Sequence, residues 1–120
     1  VVVATSLFFY DVPAQGKALI DRTQPLWSWR YTLNRTDSLR PDGKGFLLAL
    51  GATKGKDLCV PVNLCVKYFF DSIGMTKTFE SLEFRQIEGL GNMAEHADHM
   101  AALYQAGLDF GRKRPGAVSG

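Results

Sequence analysis

Apolar residues in this chain fall into two unbroken runs and several periodic ones. The first run occupies residues 1–9, Val1-Val2-Val3-Ala4-Thr5-Ser6-Leu7-Phe8-Phe9, and the second is Gly45-Phe46-Leu47-Leu48-Ala49-Leu50. Continuous, β-branched or aliphatic runs of this length mark strands covered on both faces, as in parallel sheets. Residues 75–84 alternate in polarity in their second half and predict a third strand, exposed on one side and nearer a sheet edge. Between and after these runs the spacing becomes helical. Ala14, Ala18, Leu19 and Thr23 share a face from Pro13 to about Arg22. Leu58, Val62, Cys65, Val66, Phe69 and Ile73 share another, and Met93, Ala97, Met100, Ala101, Tyr104 and Leu108 a third.

Punctuation residues set the expected boundaries. Pro13 suits a first helical turn, and Pro25 ends or kinks that helix. Trp27, Trp29 and Tyr31 alternate with polar residues and fit an extended piece or a helical extension equally well. Residues 34–44 are rich in turn formers. Asp57 offers an N-cap, Pro61 fits the first turn after it, and Gly74 supplies a left-handed stop. Gly89, Gly91 and Asn92 mark a loop; Asn92 and Glu95 stand at capping-box spacing, and the last helix is expected to end near Gly111. Arg112-Lys113-Arg114 reads as the cationic end of that helix, followed by a tail from Pro115 to Gly120. The order strand, helix, strand, helix, strand, helix predicts an α/β fold, a three-layer sandwich on a parallel sheet with right-handed crossovers.

In such sheets ligands bind beyond the carboxyl ends of the strands, which directs attention to two loops. The first carries Thr5, Ser6, Leu7, Phe8, Phe9 and Tyr10, a small polar pair beside three aromatics. The second carries Gly51, Ala52, Thr53, Lys54 and Gly55, a flexible backbone with a cation expected at a helix N-terminus. A stacking surface and backbone donors for a ring edge are what a flat aromatic cofactor needs. Gly51 to Asp57 falls one residue short of a nucleoside-triphosphate loop and has Asp where a magnesium-binding hydroxyl belongs.

Composition narrows the field further. A chain of 120 residues with 46% hydrophobic and 22% charged residues is an ordinary globular domain. A net charge of +2 with scattered basic residues gives no nucleic-acid footprint. No apolar run approaches the roughly 18 residues of a membrane helix, and a cytoplasmic setting is the default expectation. Cys59 and Cys65, if on one helix, are turned about 240° apart and read as small core or boundary residues. His96 and His99 are close enough to share a metal, but no third ligand has matching spacing, so no metal site and no catalytic acid or base is assigned.

Thr5 to Tyr10, followed by Asp11-Val12-Pro13-Ala14-Gln15-Gly16-Lys17-Ala18-Leu19-Ile20-Asp21-Arg22, resembles the third-strand region of the NAD(P)H-dependent FMN reductase and iron-sulfur-flavoprotein-like branch of the flavodoxin-like superfamily. Gly43-Lys44-Gly45, Gly51 to Gly55, Phe69-Phe70 and Ile73-Gly74-Met75 continue in that family's order. Ser6 and Phe8 stand where the family usually has Pro and Tyr. The resemblance implies the family's third, fourth and fifth strands with their helices, so residues 1–120 are expected to be the C-terminal part of one flavodoxin-like domain. It implies FMN as cofactor, NAD(P)H as electron donor, a small-molecule acceptor, and ring contacts from Thr5 to Tyr10 and from Gly51 to Gly55.

The family's first strand and phosphate loop have no counterpart in the sequence. Losing three or four charge-assisted hydrogen bonds weakens binding by at least about 4 kcal/mol, roughly a thousandfold, so FMN binding by this chain alone is expected to be weak or lost. The first strand should then present a bare apolar edge, favouring a homo-oligomer or strand-edge association. The alternatives are a flavodoxin-like electron carrier and a non-catalytic association module that binds no cofactor.

Overall fold

The computed structural model of the chain describes residues 1–75, 79–89 and 92–112. Three strands, β1 (Val2–Ser6), β2 (Phe46–Leu50) and β3 (Glu80–Phe84), form an open sheet in the order β1-β2-β3. Both pairings are parallel, in a register that runs from Val2, Phe46 and Glu80 to Ser6, Leu50 and Phe84. The helices are α1 (Ala14–Asp21), α2 (Gln24–Tyr31), α3 (Val60–Ser72) and α4 (Ala97–Arg112), with a 3-10 turn at Asn92–Glu95 before α4. The molecule is thus mixed α/β on a parallel sheet.

Central β2 explains its own sequence. Leu47 and Ala49 are wholly buried on one face, and Phe46 is buried on the other. Leu47 and Ala49 share a core with Val12, Leu58, Cys59, Val62, Val66, Phe69 and Phe70, so α3 lies over that face. On the opposite face the ring of Phe110 from α4 meets Phe46 edge-on at 5.5 Å, while the ammonium of Lys44 donates to the Phe110 carbonyl at 2.5 Å. β1 departs from the expectation of two covered faces. Its residues alternate between exposed and half-buried, with Val2 57% exposed, so one face of β1 is left uncovered.

Several boundaries move. β1 ends at Ser6, three residues short of the apolar run, since Phe8 and Phe9 enter a turn. Arg22 and Thr23 separate α1 from α2, and Pro25 sits in the first turn of α2, where its missing N–H leaves no bond unmade; Trp27, Trp29 and Tyr31 are therefore helical. The helix α2 is held to α3 by the Arg30–Asp71 ion pair at 2.9 Å, by the Tyr31 hydroxyl on Asp71 at 2.6 Å and by the Thr23–Ser72 hydroxyl pair at 2.8 Å. Asp57 is not an N-cap. A turn closed by Leu58 N–H on the Gly55 carbonyl and Val60 N–H on that of Asp57 delays α3, which starts at Val60 with Pro61 in its first turn.

Gly74 ends α3 at φ +92, as anticipated. The third strand is confined to Glu80–Phe84, and residues 76–78 of the expected span lie outside the described residues. Gly91, Lys113, Arg114 and the 115–120 tail do too. The inward stripe of α4 is not Met100 and Tyr104, which are 44% and 71% exposed. It is His99, Leu103, Ala106 and Phe110, because seating Phe110 on Phe46 and His99 on Phe84 fixes the rotation of the helix.

The two cysteines differ as core and boundary residues should. Cys59 is buried, and burial followed by the Glu83 charge pushes its thiol from 9.0 up to about 11. Half-buried Cys65 is also raised, by burial and then Asp11. An unfolded thiol ionises more readily than Cys59 does, so this contribution to stability is complete below about pH 9 and is lost as pH rises through 11. In the folded protein at mildly alkaline pH, iodoacetamide should modify Cys65 well before Cys59. Mass spectrometry of a time course checks this; equal rates at the two sites would contradict the packing.

Candidate functional site at the carboxyl ends of the strands

The carboxyl ends of β1, β2 and β3 bring three loops together. Leaving β1, the Leu7 amide still bonds the Leu50 carbonyl at 2.9 Å. The chain then reverses: Phe8 and Asp11 exchange two backbone hydrogen bonds, at 2.8 and 3.1 Å, around Phe9 and Tyr10. Both central residues are in the left-handed region, at φ 49 and 68. A two-residue turn of this hand ordinarily takes Asn and Gly, so two bulky aromatics there store strain of order 1 kcal/mol or more each. Nor does burial of their rings compensate, for Phe8, Phe9 and Tyr10 are 60%, 102% and 48% exposed.

Beside this turn runs the glycine-bearing loop. Gly51 is buried under the Leu58 side chain, whose tip a Cβ there would have to displace. The Tyr10 hydroxyl lies 3.5 Å from where a Cβ of Gly55 would be, which sets the aromatic turn against the second loop. Ala52, Thr53 and Lys54 face solvent. Lys54 does not stand at a helix N-terminus as expected, because the 55–60 turn intervenes. Of the first loop, Thr5 and Leu7 are half-buried, and Ser6 is exposed with its carbonyl accepting the Thr5 hydroxyl at 2.7 Å.

The third loop, after β3, was not among the expected site segments. Ile87 and Gln86 amides donate to the Gly51 and Thr53 carbonyls at 3.0 and 3.3 Å, and the Arg85 guanidinium donates to the Gly55 carbonyl. Arg85 through Ile87 thus clamp the glycine loop from the far side, consuming alternate carbonyls along it. The signal that would have found them is the rule that directed attention to β1 and β2: β3 also has a carboxyl end.

Two other features border this end. His99 stacks on Phe84, the last residue of β3, at 4.6 Å. On the α3 side, a cleft of about 620 Å³ between α1–α2 and α3 is walled by Trp27, Leu64, Cys65 and Tyr68, with the Lys17–Asp21 pair at 2.5 Å on its rim. No described helix is long and apolar enough to cross a membrane. Comparison of the chain with protein-family models, with curated proteins and with solved structures gave no match.

Proposed function

We propose that this chain is the ring-holding part of a flavodoxin-like, FMN-dependent NAD(P)H oxidoreductase, with its strands as the third, fourth and fifth of a three-layer sandwich. The observation that carries the reading is the Phe9-Tyr10 turn: two exposed aromatics in strained backbone, at a parallel strand's carboxyl end, set against a glycine loop. Strain without compensating burial persists where a ligand uses it, and a flat ring stacked on these side chains would bury them. Gly51 and Gly55 keep the second loop low enough for the ring edge to approach its backbone, and the Arg85 clamp holds that backbone still. Held there, FMN would supply hydride acceptance from the nicotinamide and onward electron transfer to an acceptor. The residues named here position the ring and exclude water from one of its faces.

All the proposed contacts are to the ring and none to the phosphate. FMN and riboflavin should therefore bind this chain weakly and with affinities within about twofold of each other, read by quenching of flavin fluorescence. Loss of one stacking partner, about 1 kcal/mol, should weaken both ligands about fivefold in Phe9→Ala or Tyr10→Ala. Binding indifferent to both substitutions, or a strong preference for FMN over riboflavin, would overturn the assignment of these loops to the ring.

A further inference from the structure

We propose that His96, Asp98 and His99 form a binding site for a divalent transition-metal ion of the zinc type, at the junction between the 3-10 turn and α4. Sequence spacing offered only the two histidines; the fold supplies the third ligand by turning Asp98, at the start of α4, toward them. One ligand atom from each residue lies within 4.8 Å of the others, and His99 Nε2 is 3.8 Å from an Asp98 carboxylate oxygen. An ion about 2.0–2.1 Å from each of three tetrahedral ligands holds those atoms about 3.3 Å apart, so side-chain rotation alone completes the site.

An imidazole binds an ion through a lone pair in its own plane, so His96 must swing out of its stack on His99 for the two to share one. His96 and His99 lie face to face, with centroids 4.7 Å apart and planes 18° from parallel, and both are half-buried. His99 is fixed from behind by its stack on Phe84, and its Nδ1 is buried with no hydrogen-bond partner among the described residues. A buried imidazole nitrogen without a partner is rare, and with Nε2 rather than Nδ1 facing Asp98, His99 can hold an ion without leaving Phe84. Asp98, 81% exposed, gives the carboxylate freedom to swing in and leaves a fourth position to water. Two imidazoles and one carboxylate make a donor set of intermediate softness that suits zinc, nickel or copper over magnesium or calcium. An ion here would also tie the end of the 3-10 turn to the start of α4.

The test uses the whole 120-residue chain, stripped with a chelator and titrated with Zn2+ alone. The chain has only two histidines, so its imidazole NMR signals report on the site directly. Both rings should shift together with one-to-one stoichiometry. Asp98→Asn, at an exposed carboxylate, and His96→Ala, which gives up the stack on His99, should each weaken binding at least about tenfold while leaving the far-ultraviolet circular dichroism unchanged. Substituted Co2+ should give a spectrum of nitrogen and oxygen ligation. A thiolate charge-transfer band would assign the ion to Cys59 or Cys65 instead and overturn the proposal. So would histidine signals that stay still through submillimolar zinc, or affinity unchanged in both variants.

Discussion

Gly74→Ala is expected to destabilise the fold by at least about 2 kcal/mol. Gly74 ends α3 at φ +92, where an L side chain costs roughly 1–2 kcal/mol in backbone strain alone. Space is the second obstacle: a Cβ would be driven into the Ser38 carbonyl oxygen and to 3.1 Å from the Arg40 amide nitrogen. That amide donates to the Gly74 carbonyl at 2.8 Å, so relieving the clash means breaking the bond that pins the 34–44 loop to α3. The natural control is Gly107→Ala, in the interior of α4, where a Cβ would meet nothing within 4 Å. There alanine removes a helix penalty and should stabilise by up to about 1 kcal/mol. Urea unfolding of the two variants should move the midpoint in opposite directions; a Gly74→Ala protein as stable as the parent would show that the loop does not pack as described.

A still larger loss is expected from Phe70→Ala, about 3–5 kcal/mol, the range for truncating a fully buried phenylalanine. Phe70 is 1% exposed, and its ring centroid lies 5.6 Å from that of Phe69 and 5.3 Å from that of Phe79. It also lies directly over Gly45, where a Cβ would come within 2.6 Å of the ring. Gly45→Ala should therefore destabilise too, by the roughly 1–3 kcal/mol typical of overpacking. Because the two substitutions act on one contact in opposite senses, adding Gly45→Ala to Phe70→Ala should cost much less than it does in the parent. A thermodynamic cycle from denaturant curves measures this; strict additivity would mean that Gly45 and Phe70 do not touch. A domain of this size has only about 5–15 kcal/mol in total, so Phe70→Ala leaves little reserve.

About half of the candidate site was legible in the sequence. Placing a ligand beyond the strand ends needed only the apolar runs and the parallel-sheet rule, and it led to Thr5 through Tyr10 and Gly51 through Gly55. Three things escaped. The backbone of Phe9 and Tyr10 is left-handed because Phe8 and Asp11 bond across them, a pairing no propensity of Phe or Tyr suggests. Arg85 to Ile87 joined the site because β3 lies beside β2. Asp98 turned toward the histidines through the geometry at the start of α4, where sequence spacing had shown two ligands and stopped.

What the chain settles locally is what its periods and its prolines and glycines dictate. The strand β2, the helices α1 and α3, the stop at Gly74 and the parallel reading of the apolar runs come from contacts within a few residues. Local turns stop β1 and delay α3, whereas tertiary structure decided which face of α4 turns inward and which loops share the carboxyl end. Those outcomes depend on pairs such as Phe46 with Phe110, Phe84 with His99 and Tyr10 with Gly55, distant in sequence. Such contacts exist only after the sheet has formed, so their energies leave no trace in the local pattern from which a sequence is read.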